Sequence, residues 1–203
     1  MLRRHFVQSS ILLVGCGGAV HESTASSGAV HSSTRASPFH DTVGLTTRAA
    51  IEANHESWRS ADSLPSRAVS ESLSAVAPGA EVEVFLGTWC GDSRQQITRL
   101  FAAIELASAT SALPFSLRFI GVDRSKHAHD AATNIDLNEG RDIRYVPTII
   151  VSRAGMEVGR IVEHPTRSIE EDLHDLLTGA RRGFLSLTRT PSRTRIDDVR
   201  IQG

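Results

Sequence analysis

The sequence predicts an α/β fold, with strands and helices following one another over residues 80–178 behind a helical extension at 41–79. Three observations predict it. A strand-like run, Val82, Val84, Phe85 and Leu86, is followed by a helical stripe of Ile97, Leu100, Phe101 and Ile104, then by a second apolar run over 115–122. A third run, Thr148-Ile149-Ile150-Val151, leads through Ala154-Gly155 to Val158, Ile161 and Val162, the pattern of a hairpin. A last stretch with Ile169, Leu173, Leu176 and Leu177 on one face closes the region as a helix, and Ser168 with Glu171 offers a capping box near its start.

The segments before and after are of other kinds. Met1-Leu2-Arg3-Arg4-His5 is basic, Ile11-Leu12-Leu13-Val14-Gly15 is a short apolar run, and Cys16 follows directly. The run is too short to span a bilayer as a helix but has the layout of a signal-peptide core. Leu13-Val14-Gly15-Cys16 resembles the bacterial lipobox, whose cysteine becomes the lipid-bearing first residue of the mature protein. Residues 1–16 are therefore expected to be a lipoprotein signal peptide ending at the lipidation site Cys16. The protein is then expected in the cell envelope, lipid-anchored to a bacterial membrane and facing the extracytoplasmic side.

Residues 17–40 are rich in Ser, Thr, Ala, Gly and His, with Ala19-Val20-His21-Glu22-Ser23-Thr24 imperfectly repeated as Ala29-Val30-His31-Ser32-Ser33-Thr34. So little apolar surface does not offset the entropy of ordering, and a flexible tether is expected. Residues 42–61 read as a helix carrying Ile51 and Trp58. Pro65 marks a fresh start, and Val69, Leu73 and Val76 lie at helical spacing before Pro78-Gly79 ends that second helix. Residues 126–138 are polar and show no clear period. The tail, 179–203, is a cluster of arginines interrupted by Asp197-Asp198 and reads as a basic, solvated, flexible end.

Composition narrows the function classes. Lys and Arg total 22 against 23 Asp and Glu, a formal net charge of -1, so nothing global favours nucleic acid as a partner. Lys126 is the only lysine. With Cys16 and Cys90 the only cysteines, a disulfide-stapled fold is excluded. No paired-carboxylate, Ser-His-Asp or phosphate-loop constellation stands out, so hydrolase and nucleotide-binding functions lack support. Cys90 with His127 or His129 falls short of the three protein ligands a zinc site needs, and neither metal nor cofactor is expected.

The informative stretch is Gly87-Thr88-Trp89-Cys90-Gly91-Asp92-Ser93-Arg94, directly after the first strand. A cysteine opening a helix faces unpaired backbone N–H groups and the positive end of the helix dipole, and both favour the thiolate. Ser93 has a hydroxyl to donate to that sulfur, and Arg94 adds positive charge. Asp92 opposes them if it faces the sulfur, or serves the helix N-terminus instead.

Trp89-Cys90-Gly91-Asp92-Ser93 at the head of a long helix, Ile143-Arg144-Tyr145-Val146-Pro147-Thr148 before the third strand, and Ala154-Gly155 in the hairpin stand in the order found in the thioredoxin superfamily. Residues 80–178 resemble that family. The resemblance implies a thioredoxin-like fold, a central mixed β-sheet flanked by helices. It also implies a cis bond before Pro147, which an X-Pro peptide permits. Val146 and Trp89 are then expected beside an extended substrate, and Cys90 is the attacking thiol, assisted by Ser93.

Three departures bear on activity. Ser93 replaces the family's usual second cysteine, Val84 stands where many dithiol members carry a buried acid, and a lipidated Cys16 leaves no resolving thiol. Together they imply monothiol thiol–disulfide exchange through Cys90, with client thiols or disulfides as partners and an external thiol as reductant. The alternative is a binding module that holds an extended segment between Trp89 and Val146-Pro147 without redox turnover.

Overall fold

The structure, a computed structural model, describes residues 40–109 and 111–187. Expectations for the signal peptide, for Cys16, for the tether before residue 40 and for the tail beyond 187 fall outside the described residues. Within them the chain forms a mixed α/β fold with a central sheet flanked by helices. The order along the chain is β1 (Gly44–Thr46), α1 (Arg48–Asn54), α2 (Arg67–Ser72), β2 (Ala80–Leu86), α3 (Gly91–Ser108), β3 (Phe115–Gly121), β4 (Thr148–Arg153), β5 (Met156–Val162), α4 (Ile169–Thr178) and β6 (Gly183–Leu185). Six described strands stand in the order β1-β3-β2-β4-β5-β6. β2 runs parallel to β3 and antiparallel to β4, and β4 and β5 form the antiparallel hairpin.

Alternation along β2 divides the interior. Val82, Val84 and Leu86 share one apolar cluster with Ile51 of α1, Leu73, Ile97, Leu100 and Phe101 of α3, and Leu173, Leu176 and Leu177 of α4. The helices therefore lie on one face of the sheet, α3 and α4 each through an apolar stripe and α1 through Ile51. On the opposite face Phe85, Ile120 and Ile150 are covered by Val122, Ala128 and Val146. Those three come from residues 122–147, which include the polar stretch 126–138 that shows no clear period. Asp-centred turns hold it: Asp130 Oδ1 accepts from the N–H groups of Ala132 and Thr133 at 3.0 and 2.8 Å. Beside that cover, Glu83 is buried and ion-paired with Arg118 and with Arg141, the latter at 2.7 Å.

Three expectations are corrected at and beside the sheet edges. The extension read as helical over 41–79 begins with a strand: β1 pairs antiparallel with β3, Gly44 facing Gly121. The approach is so close that a Cβ at Gly121 would lie 2.1 Å from the Thr42 carbonyl oxygen, so the edge strand requires glycine there. The expected helix over 42–61 is in fact shorter. Thr47 caps α1 by accepting from the Ala50 N–H at 3.1 Å, the helix stops at Asn54, and a 3-10 turn, Glu56–Trp58, buries Trp58. At the other edge, part of the segment read as a flexible tail joins the sheet, with β6 parallel to β5 and Leu185 buried.

Side chains fix the remaining elements. The capping box of α4 is formed: Ser168 Oγ accepts from the Glu171 N–H, and the Glu171 carboxylate accepts from the Ser168 N–H. Glu170, fully buried one residue earlier, is clamped by the Arg99 guanidinium at 2.9 and 2.7 Å and by the Ser66 N–H. Arg153 on β4 donates to the carbonyls of Pro78, Ala77 and Leu177, which joins the sheet to the segment after α2 and to the end of α4.

Candidate functional site

The site is built where β2 hands over to α3. Strand β2 stops at Leu86, and the Cys90 N–H closes a turn on the Gly87 carbonyl at 2.9 Å. Cys90 is the N-cap of α3, with extended backbone angles, and its own carbonyl receives the first helical bond, from the Arg94 N–H at 3.0 Å. Its side chain does not cap the helix. Instead the half-buried thiol donates to the Val146 carbonyl at 3.4 Å, across the mouth of β4. The Val146-Pro147 bond is cis, and Val146 is buried. The fold thus brings Cys90 and Val146 together from 56 residues apart.

Ser93 sits differently from its expected place. It is fully buried, and its Oγ accepts from the Gly87 N–H at 3.2 Å, holding the turn closed from inside. Among the described residues it makes no hydrogen bond to the sulfur. Trp89 also serves the turn. Its Nε1 donates to the Val122 carbonyl at 3.1 Å, and its ring lies on Gly87, where a Cβ would come within 2.6 Å of it. The Arg124 guanidinium and the Lys126 ammonium lie 5.4 and 5.8 Å from its centroid, a cation–π arrangement with the exposed side.

The charges around the sulfur are mostly spoken for. Arg94 makes a bidentate pair with Asp62 at 3.0 and 2.7 Å, and its hydrogen bonds hold the Asp62 carboxyl below the usual carboxylate range. Its positive charge is thereby largely neutralised. Asp92 lies in the first turn of α3, where the dipole favours a negative charge, and is 3.9 Å from Nε2 of His164.

Several residues of the site carried no signal in the sequence. The Thr42 N–H donates to Thr88 Oγ1 at 3.0 Å, and the Thr42 hydroxyl meets Nε2 of His55 at 3.0 Å. His55 is buried, which pushes its imidazole below the ordinary histidine value against the opposing pull of Asp41. Asp62, Val122 and Thr42 reach the turn only through the tertiary fold.

Fold and site together define a mixed α/β protein with one half-exposed thiol at the head of a long helix. No protein-family model matches the chain, and no curated protein matches it. Among solved structures it is similar to a protein of unknown function from Pseudomonas aeruginosa, at 20% identity and a TM-score of 0.39, over 66% of this chain and 83% of that one.

Proposed function

We propose that the region from β2 to α4 is a thioredoxin-like domain and that Cys90 performs monothiol thiol–disulfide exchange on client proteins. The fold part is supported by the parallel β2-α3-β3 unit followed by the antiparallel β4-β5 hairpin and α4. What carries the functional part is the Cys90 sulfur, half-exposed at the N-cap of an 18-residue helix and 3.4 Å from the Val146 carbonyl.

In the first step the Cys90 thiolate attacks one sulfur of a client disulfide. A new S–S bond forms, the client's second sulfur leaves as thiolate, and it takes up the proton that Cys90 released. In the second step another thiolate attacks the mixed disulfide and the Cys90 sulfur departs. If that thiolate belongs to the client, the disulfide is rearranged with no net electron transfer. If it is a small external thiol, the client is left in a mixed disulfide with it. A second such thiol then attacks to release the client thiol, so that two thiols are oxidised to one disulfide as the client disulfide is reduced. Ser93 and Trp89 contribute by keeping the turn closed. Anchoring through a lipid on Cys16, on the extracytoplasmic side of a bacterial membrane, is part of the same proposal and is supported by the sequence.

Incubation of the full chain with a disulfide-containing client, followed by a non-reducing gel, is expected to show an adduct that Cys90→Ser abolishes. No adduct, with Cys90 also inert to iodoacetamide in the folded protein, would sink the redox reading. A Cys90→Ala protein that kept full biological activity would point to the binding module instead.

A further inference from the structure

Of the four residues in the 87–90 turn, three are secured within the thiol turn or its own face of the sheet. The Gly87 N–H is held by Ser93, the Cys90 N–H by Gly87, and the Trp89 indole by Val122. Thr88 is secured elsewhere: its hydroxyl accepts the N–H of Thr42, 46 residues earlier, at 3.0 Å. Thr42 is itself fixed on two further sides. Its hydroxyl meets the buried His55 at 3.0 Å, and its carbonyl lies so close over Gly121 that no side chain fits between them. The chain thus enters the described fold by crossing the end of β3 and gripping the residue two before the sulfur.

We propose that Thr42, locked by His55, is a positioning residue for Cys90 and acts through the Thr88 hydroxyl. The segment leading into β1 is then a working part of the thiol turn. Losing that one grip loosens Thr88, the residue of the turn held from outside it, and with it the placement of the sulfur at the head of α3. The inference deepens the monothiol reading and rests on it for the meaning of the rate, though the geometry stands by itself.

The test uses full-length Thr88→Val, which keeps the shape and removes the acceptor, and Thr88→Ser, which restores it. Two rates are measured at Cys90, alkylation by iodoacetamide and mixed-disulfide formation with a small aromatic disulfide, alongside the melting temperature. Thr88→Val is expected to slow both rates by about fivefold, the scale of one net hydrogen bond. Thr88→Ser is expected to recover the wild-type rates, and His55→Phe to slow Cys90 without adding to Thr88→Val, because both act on one path.

Unchanged or faster rates in Thr88→Val overturn the proposal. So does a loss that Thr88→Ser fails to rescue, since that marks a purely structural defect. The two readings fail separately. A wild-type thiol that alkylates, responds to Thr88→Val, yet never forms a protein adduct removes the exchange function and keeps the positioning role. A wild-type Cys90 that does not alkylate removes both.

Discussion

Glu170 has no exposed surface, and burial by itself would raise its pKa. Hydrogen bonds from Arg99 and from the Ser66 N–H outweigh that and hold the carboxyl below its ordinary value of 4.5. This fixes the sign of the pH effect. The unfolded chain takes up the proton at higher pH than the folded one, so the stabilisation is complete above the ordinary carboxylate range and is lost as pH falls through the folded value. Glu170→Gln is therefore expected to lower stability at neutral pH and to flatten its decline towards acid, read as urea midpoints measured from neutral through pH 4.5 and on into the more acid range. An equally steep decline in the variant would show that other carboxylates carry the effect. Single residues divide sharply in how far the sequence disclosed them. Cys90 stood out because a helix start is a local pattern, whereas the Asp62 partner of Arg94 lies 32 positions away and no periodicity encodes it.

Elements with their own period were legible, and those specified by a neighbour were not. The stripe of α3, the capping box of α4 and the β4-β5 hairpin could all be read from adjacent residues. β1 and β6 are three residues each, too short for alternation to register, and exist because β3 and β5 offer open edges to pair with. The break after α1 is likewise set from outside, by burial of His55 and Trp58. Joins between elements rest on single long side chains, and Arg153 is the clearest of them. Arg153→Ala removes three charge-assisted bonds to carbonyls of Pro78, Ala77 and Leu177. It is expected to cost about 2 kcal/mol in denaturant unfolding, with the slope unchanged. A loss within a few tenths of zero would mean that water replaces all three donors.

At the scale of the molecule the two faces of the sheet are secured unequally. One is covered by helices through a continuous apolar cluster. The other is covered by residues 122–147, which contribute few buried apolar side chains and many exposed ones. Opening of that cover exposes less apolar surface than separating α3 or α4 from the sheet, so it is the lower-energy event of the two. Hydrogen exchange is expected to be fastest across the exposed part of that segment, 129–145, and slowest in β2, β4 and the middle of α3. Uniform protection of both faces would contradict this division. Because Val146 borders the segment and accepts from Cys90, opening of the cover also alters what the sulfur faces.

Lys126, the only lysine in the sequence, lies in that same cover with its ammonium 5.8 Å from the Trp89 ring. Chemistry that distinguishes primary amines from guanidinium groups therefore has one side-chain target here, and it adjoins the thiol turn. An amine-directed fluorophore at Lys126 sits within quenching range of the indole. The molecule thus supplies its own optical address for following what docks at Cys90, with no cysteine spent on labelling.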